Sequence, residues 1–252
     1  MGPLSVVVPS YNEEDRLPPS LADICRYLAE QPHWQPAQLI VVDDGSGDQT
    51  AAAARAVSIP TGVRLEVVSH EENLGKGAAV RTGFRRATGA QILLSDADLS
   101  SPIDELDALA RSAPETTVRI GSRALNRELI TVRQPLYRDL MGRIFNLAVR
   151  SLVLPGIHDT QCGFKIFPGD LGRALAEVQS IDGFAFDVEL MYLARRWGTP
   201  VVEVPVRWRH VEASRVQPGR HSMEMLADLV RLWWRGLTGN LPPPPRMPGE
   251  TA

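Results

Sequence analysis

Apolar residues along the first hundred positions follow two alternating rhythms. Short β-branched runs at Leu4 to Val8, Leu39 to Val42, Val63 to Val68 and Ile92 to Leu94 predict buried strands. Between them, Leu17, Leu21, Ile24 and Leu28 recur at helical spacing. An alanine-rich helix is predicted from about Thr50, a third helix to about Ala87 and a fourth from about Ile103. Strands alternating with helices at this spacing predict an α/β fold with a mainly parallel sheet covered on both faces. Ligands of such sheets bind beyond the carboxyl ends of the strands, and here each apolar run is followed by a polar motif. After Ser122 the rhythm loosens into an amphipathic segment, Leu136 to Leu154, and the polar loop GIHDTQCGFK. A helix around Phe186 to Trp197, the strand-like VVEVPVRW and a last helix at about Ser222 to Leu237 follow. The proline-rich tail, 241–252, has no apolar periodicity and is expected to be extended or unstructured.

The polar motifs supply the candidate chemistry. VVVPSYNEE carries Tyr11, Asn12 and Glu13, suited to stacking on a base or bonding its polar edge. VVDDGSGDQT places Asp43 and Asp44 where a carboxylate can accept from a base imide or a ribose hydroxyl. NLGKGAAVRTG offers glycines for close backbone approach, with Lys76 beside them. In LLSDADLSSP, Asp96 and Asp98 end an apolar strand one residue apart, so both can reach one hard cation, magnesium or manganese. Taken singly, Asp-x-Asp and Asp-Gly-Ser are also ordinary cap and turn chemistry. The order and strand-end placement of all four loops point instead to a nucleotide diphosphate site. GxxxxGK[ST] is absent, and GKGAAV lacks the last glycine of a dinucleotide fingerprint.

Bulk properties narrow the class further. With 27 basic and 30 acidic residues the formal net charge is −3, which gives no electrostatic case for nucleic-acid binding. The two cysteines, Cys25 and Cys162, lack disulfide or zinc spacing, which fits a reducing, cytoplasmic location. The N-terminus has no signal-peptide pattern, and no apolar stretch approaches the roughly 20 residues of a transmembrane helix.

The series VVVPSYNEE, VVDDGSGDQT, NLGKGAAVRTG, SDADLSSP, GSR, DTQCGFKIF and FDVELMYLARRWG resembles the inverting glycosyltransferases of family two. Within that family it is similar to the dolichyl- or polyprenyl-phosphate glucosyl- and mannosyltransferase branch. The resemblance spans about 4–210 and implies a GT-A fold, a single Rossmann-like domain over 1–240. The donor-binding half would be about 1–122 and the acceptor-binding half about 123–240. Pro9, Tyr11, Glu13, Val42 and Asp44 match base and ribose positions, and Asp96, Ala97 and Asp98 match the metal-diphosphate motif. Arg123, Arg143 and, on a looser match, Arg215 correspond to groups that grip an acceptor phosphate, which a guanidinium fork binds bidentately. Asp159 and Asp187 are candidate general bases for a hydroxyl acceptor. A phosphate acceptor, largely dianionic with a second pKa of about 6, needs none. Asp187 also fits a helix cap, Asp159, Gln161 and Lys165 fit ordering of the sugar or acceptor, and Cys162 fits a small buried apolar role. The implied partners are a nucleotide-sugar, UDP-glucose first, and a polyprenyl phosphate. A glycan or small hydroxyl acceptor, or nucleotide-sugar binding without turnover, is the alternative.

A lipid acceptor requires contact with a bilayer. Leu140, Ile144 and Leu147, with Arg138, Arg143 and Arg150, give the 136–154 segment an interfacial pattern. So do Leu226, Val230, Trp233, Trp234 and Leu237 with Arg231 and Arg235 in the last helix. Core packing is the other use of such faces. The expectation is peripheral attachment at the cytoplasmic face, with a membrane-protein partner or a homodimer left open.

Overall fold

The computed structural model describes residues 2–132, 135–211 and 220–244, with the backbone alone at 136, 138, 139, 220 and 221. Arg215 and 245–252 lie outside the described residues. Four predicted strands form as β1 (Leu4–Ser10), β2 (Ala37–Asp43), β3 (Val63–Ser69) and β4 (Gln91–Ser95). β1, β2 and β4 are buried along their whole length, the pattern of parallel strands covered on both sides. Alternate residues serve opposite layers. Val7, Ile40, Val42 and Leu94 pack with Phe84 on one face, whereas Val6, Val8, Leu39, Val41 and Leu93 pack with Leu21 and Ile24 on the other. Each such side chain contributes roughly 1.5–3 kcal/mol on burial.

The predicted helices are α1 (Leu17–Glu30), α2 (Thr50–Arg55), α3 (Lys76–Arg86) and α4 (Glu105–Arg111). The looser second half contributes β5 (Val118–Ser122), a short β6 (Ile130–Val132) and α5 (Leu136–Leu152). It continues with β7 (Phe164–Pro168), α6 (Gly169–Val178), α7 (Phe186–Arg196), β8 (Val201–Pro205), β9 (Trp208–Arg209) and α8 (Arg220–Leu237). The main sheet has seven strands in the order β3-β2-β1-β4-β7-β5-β8, and β6 and β9 pair separately.

The polar loop read as GIHDTQCGFK therefore ends inside a strand, since Phe164 and Lys165 open β7. This strand runs antiparallel to both β4 and β5, with Ser95 opposite Phe164 and Leu94 opposite Lys165. The reversal matters for position. It sets the start of β7 beside the carboxyl end of β4, so 158–163 arrive at the edge where Asp96 and Asp98 already stand.

α5 and α8 pack on each other and divide their apolar residues between two directions. Val149, Met225, Leu229 and Leu232 enter the core, and Phe145, Ala148 and Trp233 pack against it. Ile144 and Trp234, each 61% exposed, point out with Leu147, Val230 and Leu237. Of the tryptophan pair, only Trp234 is turned outward. No helix among the described residues is long and apolar enough to cross a membrane. The proline-rich stretch begins docked: Leu241 packs on the core, and the Trp197 indole donates to the Pro242 carbonyl at 3.2 Å.

Candidate active site

The loops after β1 and β2 are laced together by their own polar groups. Asn12, in the left-handed region at φ 53°, donates its N–H to Ser46 Oγ at 2.9 Å and accepts the Gly47 N–H on Oδ1 at 2.9 Å. The Glu13 N–H donates to Thr50 Oγ1 at 2.7 Å, and the Glu13 carboxylate pairs with Arg16. Asp48 accepts the Thr50 N–H at the start of α2, and Asp43 accepts the Ser46 N–H. Part of DDGSGD is thus the turn and cap chemistry its composition allows. Pro9 and Val42 are buried in the strand ends, and Tyr11 is exposed beside them.

Asp44 is 2% exposed and holds the third loop. Its carboxylate accepts the Leu74 and Gly75 N–H groups at 3.0 and 2.8 Å and lies 2.7 Å from His70 Nδ1. The glycines around Lys76 also answer to protein. A Cβ at Gly75, where φ is 106°, would fall 2.4 Å from the Asp182 carbonyl oxygen, and one at Gly77 would fall 2.3 Å from that of Ile181. The close backbone approach predicted for this motif is present, and the 181–182 backbone makes it.

At the end of β4, Lys76 Nζ donates to Asp96 Oδ1 at 2.6 Å. Gly163 lets this happen, because a Cβ there would sit 1.9 Å from the same carboxylate, and the Asp96 N–H donates to the Gly163 carbonyl at 3.1 Å. Ala97 is buried between the two acids. Asp98 Oδ1 accepts the Ser100 N–H at 2.9 Å, across a turn in which Leu99 takes φ 44°. Burial alone raises the Asp96 carboxyl, but the Lys76 ammonium reverses this and holds it below its ordinary value. Asp98 goes the other way, pushed up by burial and then by the Asp96 charge. Two oxygen-donor groups, one of them penalised by the other's charge, suit a hard divalent cation whose remaining ligands come from phosphate. Among the described residues, no group of three or more His, Cys, Asp or Glu could by itself hold a metal.

Arg123, just past β5, forms a fork on Asp159, with Nε to Oδ2 at 2.7 Å and Nη2 to Oδ1 at 2.8 Å. The Arg123 N–H adds a bond at 2.9 Å, and the guanidinium lies 5.3 Å from the Trp208 ring centroid. Burial opposes the charge on Asp159, but Arg123 outweighs it and depresses the pKa. Behind the pair, Glu203 on β8 accepts the His158 and Asp159 N–H groups at 2.7 and 2.8 Å. Lys165, fully buried on β7, donates to Asp187 Oδ1 at 2.6 Å. Asp187 is therefore tied to a lysine rather than capping α7, and burial raises its carboxyl despite the two nearby lysines. Cys162 is buried, its thiol pushed up to about 11 by burial first and the Asp159 charge second. Gln161 donates its N–H to Asp159 Oδ1 at 3.2 Å and reaches toward Met225 Sδ at 3.9 Å. Arg143 is exposed on α5, one turn before Asn146, which accepts from Thr160 Oγ1 at 3.1 Å.

The structure thus gathers Lys76, Asp96, Asp98, Arg123, Asp159, Lys165 and Asp187 at one sheet edge. Trp208 and Glu203 were not assigned roles from sequence; Lys165, expected to order the sugar or acceptor, is fully buried and paired with Asp187.

A parallel sheet with one reversed strand and an Asp-x-Asp turn at its carboxyl edge defines a nucleotide-sugar glycosyltransferase of the GT-A type. The chain belongs to glycosyl transferase family 2, whose model matches residues 5–170. It is 38% identical over 248 residues to a dolichyl-phosphate β-glucosyltransferase of Drosophila melanogaster, covering 94% of this chain and 76% of that one. Among solved structures it superposes on mannosyl-3-phosphoglycerate synthase from Rubrobacter xylanophilus with TM-score 0.64 at 22% identity, over 99% of this chain and 79% of the other. Glucosyl-3-phosphoglycerate synthase from Mycobacterium tuberculosis, in complex with Mn2+ and UDP-glucose, gives TM-score 0.60 at 21% identity, over 96% and 80%. At these identities the structural likeness establishes the fold.

Proposed function

We propose that the chain transfers glucose from UDP-glucose to a dolichyl or polyprenyl phosphate with inversion, aided by magnesium or manganese. The observation that carries this reading is the division of the sheet edge into two charged halves. Asp96, Asp98 and Lys76 form one, and Arg123 and Lys165, each braced by an aspartate, form the other. The Drosophila relative supports the acceptor class, and the manganese complex supports the donor and the metal. The same partition supports a donor half over about 1–122 and an acceptor half over about 123–240, with 163 and 179–182 reaching across to the donor residues.

Asp96 and Asp98 would hold the cation together with the donor diphosphate. The bound cation supplies Lewis-acid neutralisation of the departing diphosphate. Base and ribose would lie along the Pro9–Glu13 and Val42–Asp44 loops. Lys76, 2.6 Å from Asp96, would add a second positive charge beside the diphosphate. In transfer, an acceptor phosphate oxygen bonds to the anomeric carbon from the face opposite the leaving group, and the bond to UDP breaks. Arg123, preset by Asp159, would orient the acceptor phosphate, with Gln161 and Arg143 as further acceptor-binding groups. Arg215, outside the described residues, is proposed for the same acceptor on its sequence match alone. Asp159 is a poor base, because Arg123 stabilises its ionised form. A phosphate nucleophile arrives deprotonated, so positioning and charge suffice. The raised carboxyl of Asp187 favours a second reading, in which it accepts a proton from a hydroxyl acceptor.

The outward faces of α5 and α8, apolar with arginines alongside, fit the headgroup region of a bilayer. They support peripheral attachment, at the cytoplasmic face if UDP-glucose is the donor. The test is incubation with a panel of UDP- and GDP-sugars, short polyprenyl phosphate and Mg2+ or Mn2+, following lipid-linked sugar by mass. Asp98→Ala should abolish metal-dependent UDP binding, and Arg143→Ala, at an exposed position on α5, should chiefly raise the acceptor KM. Transfer only to hydroxyl acceptors, with Asp187→Asn inactive and Arg123→Ala active, would establish the second reading.

A further inference from the structure

Lys76 sits at the first turn of α3, and that turn has no side-chain cap. Its Gly77 and Ala78 N–H groups donate instead to the Asp182 carbonyl, at 2.7 and 3.3 Å. Gln179 Nε2 donates to the Gly77 carbonyl at 2.8 Å, and Arg81 bridges to Asp182 at 2.6 Å. The backbone that follows Lys76 therefore takes its position from the 179–182 segment, which is distant in sequence, while Asp44 holds Leu74 and Gly75 before it.

That segment is fixed from its other side by a buried charge. Glu189 on α7 is 1% exposed, and its carboxylate accepts the Ser180 N–H at 3.0 Å, the Ile181 N–H at 2.8 Å and Ser180 Oγ at 2.6 Å. A carboxylate is costly to bury, and the converging donors offset that cost by fixing the loop. From α8, Arg235 Nη1 donates to Ser180 Oγ at 2.8 Å and lies 3.9 Å from Glu189 Oε1. Neither Glu189 nor Arg235 is bonded to Asp96 or Asp98.

We infer that Glu189 and Arg235 are positioning residues for the donor half of the site, acting through the 179–182 segment to hold Lys76 against Asp96. The inference rests on the reading of Asp96, Asp98 and Lys76 as the donor half. It ties that half to α8, the helix whose opposite face is apolar and exposed. In Glu189→Gln an amide N–H would meet donors that now converge on a carboxylate oxygen, so the loop should shift while the fold persists. Arg235→Ala removes the outer brace at a side chain 35% exposed, where a folding defect is not expected.

The test measures titration of UDP with Mn2+ and steady-state KM for UDP-glucose and for short polyprenyl phosphate. It compares wild type with Arg235→Ala, Arg235→Lys, Glu189→Gln and Lys76→Met. Arg235→Ala and Glu189→Gln should each weaken UDP binding and raise the donor KM by about threefold to thirtyfold, the range of indirect couplings. The acceptor KM should stay within about twofold, and Arg235→Lys should recover most of the loss. The inference is overturned if Lys76→Met weakens UDP binding while Arg235→Ala and Glu189→Gln leave it unchanged. It is equally overturned if both KM values move together, which is the behaviour of general destabilisation. If Lys76→Met itself leaves UDP binding intact, the donor-half assignment fails, and this inference fails with it.

Discussion

Replacing Asp159 by asparagine keeps the shape of the side chain and removes its charge. Four donors converge on this carboxylate: the Arg123 N–H and Nε on Oδ2, and Arg123 Nη2 and the Gln161 N–H on Oδ1. An amide offers one acceptor oxygen, so in either flip two donors face an NH2 group. Bonds involving a charged group contribute about 1.5–3 kcal/mol each, so the loss is about 3–5 kcal/mol, as for breaking a buried ion pair. Against a total stability of about 5–15 kcal/mol this is large, and Tm should fall by about 6–20 °C. The pH dependence supplies a sharper check. The folded pKa of Asp159 is depressed by Arg123, so its contribution is fully present above the unfolded value of about 3.9 and is lost as pH falls through the folded one. Urea unfolding of wild type and Asp159→Asn from pH 7 to pH 3 should therefore show a gap that is widest at neutral pH and narrows in acid. Adding Arg123→Met to Asp159→Asn should recover part of the loss, since no unpaired buried charge remains. A gap under about 1 kcal/mol at pH 7, or one that does not narrow in acid, would refute the pairing argument.

Other consequences are equally direct. Gly77→Ala should lose about 1–3 kcal/mol in urea unfolding, despite the better helix propensity of alanine, because its Cβ has no room against Ile181 and Phe186. Gly142→Ala, on α5 with nothing within 4 Å, should gain about 0.5–1 kcal/mol in the same assay. Native protein should resist iodoacetamide at pH 8, since both cysteines are buried and a Cys162 thiol near 11 is ionised in only about one molecule in a thousand. Mass spectrometry should find two labels in urea, and a label acquired natively within minutes would contradict the packing. Ile144→Asp with Trp234→Asp should abolish cosedimentation with anionic vesicles and leave the titration of UDP with Mn2+ unchanged.

The strand-end loops were legible because of where they fall. Strands buried on both faces are continuous apolar runs, so Ser10, Asp43 and Ser95 mark their carboxyl ends without reference to the rest of the chain. β7 was not legible as a strand, since five residues following a polar loop fit several arrangements, and its reversal depends on the crossover through α5. The glycines beside Lys76 signalled close approach correctly, but not what approaches. The same residue type serves a ligand or a carbonyl from 181 and 182.

By itself, the sequence determined the alternating elements of the first hundred residues, the strand-end loops and the residue types that can hold a diphosphate and a phosphate, because periodicity and turn chemistry are local. Only the tertiary structure decided the partners: Arg123 with Asp159 across 36 positions, Lys165 with Asp187 across 22, and the Asp182 carbonyl on the turn that carries Lys76. Such pairings depend on which strand lies beside which and in what direction. A buried charge takes the partner that the topology brings within about 3 Å.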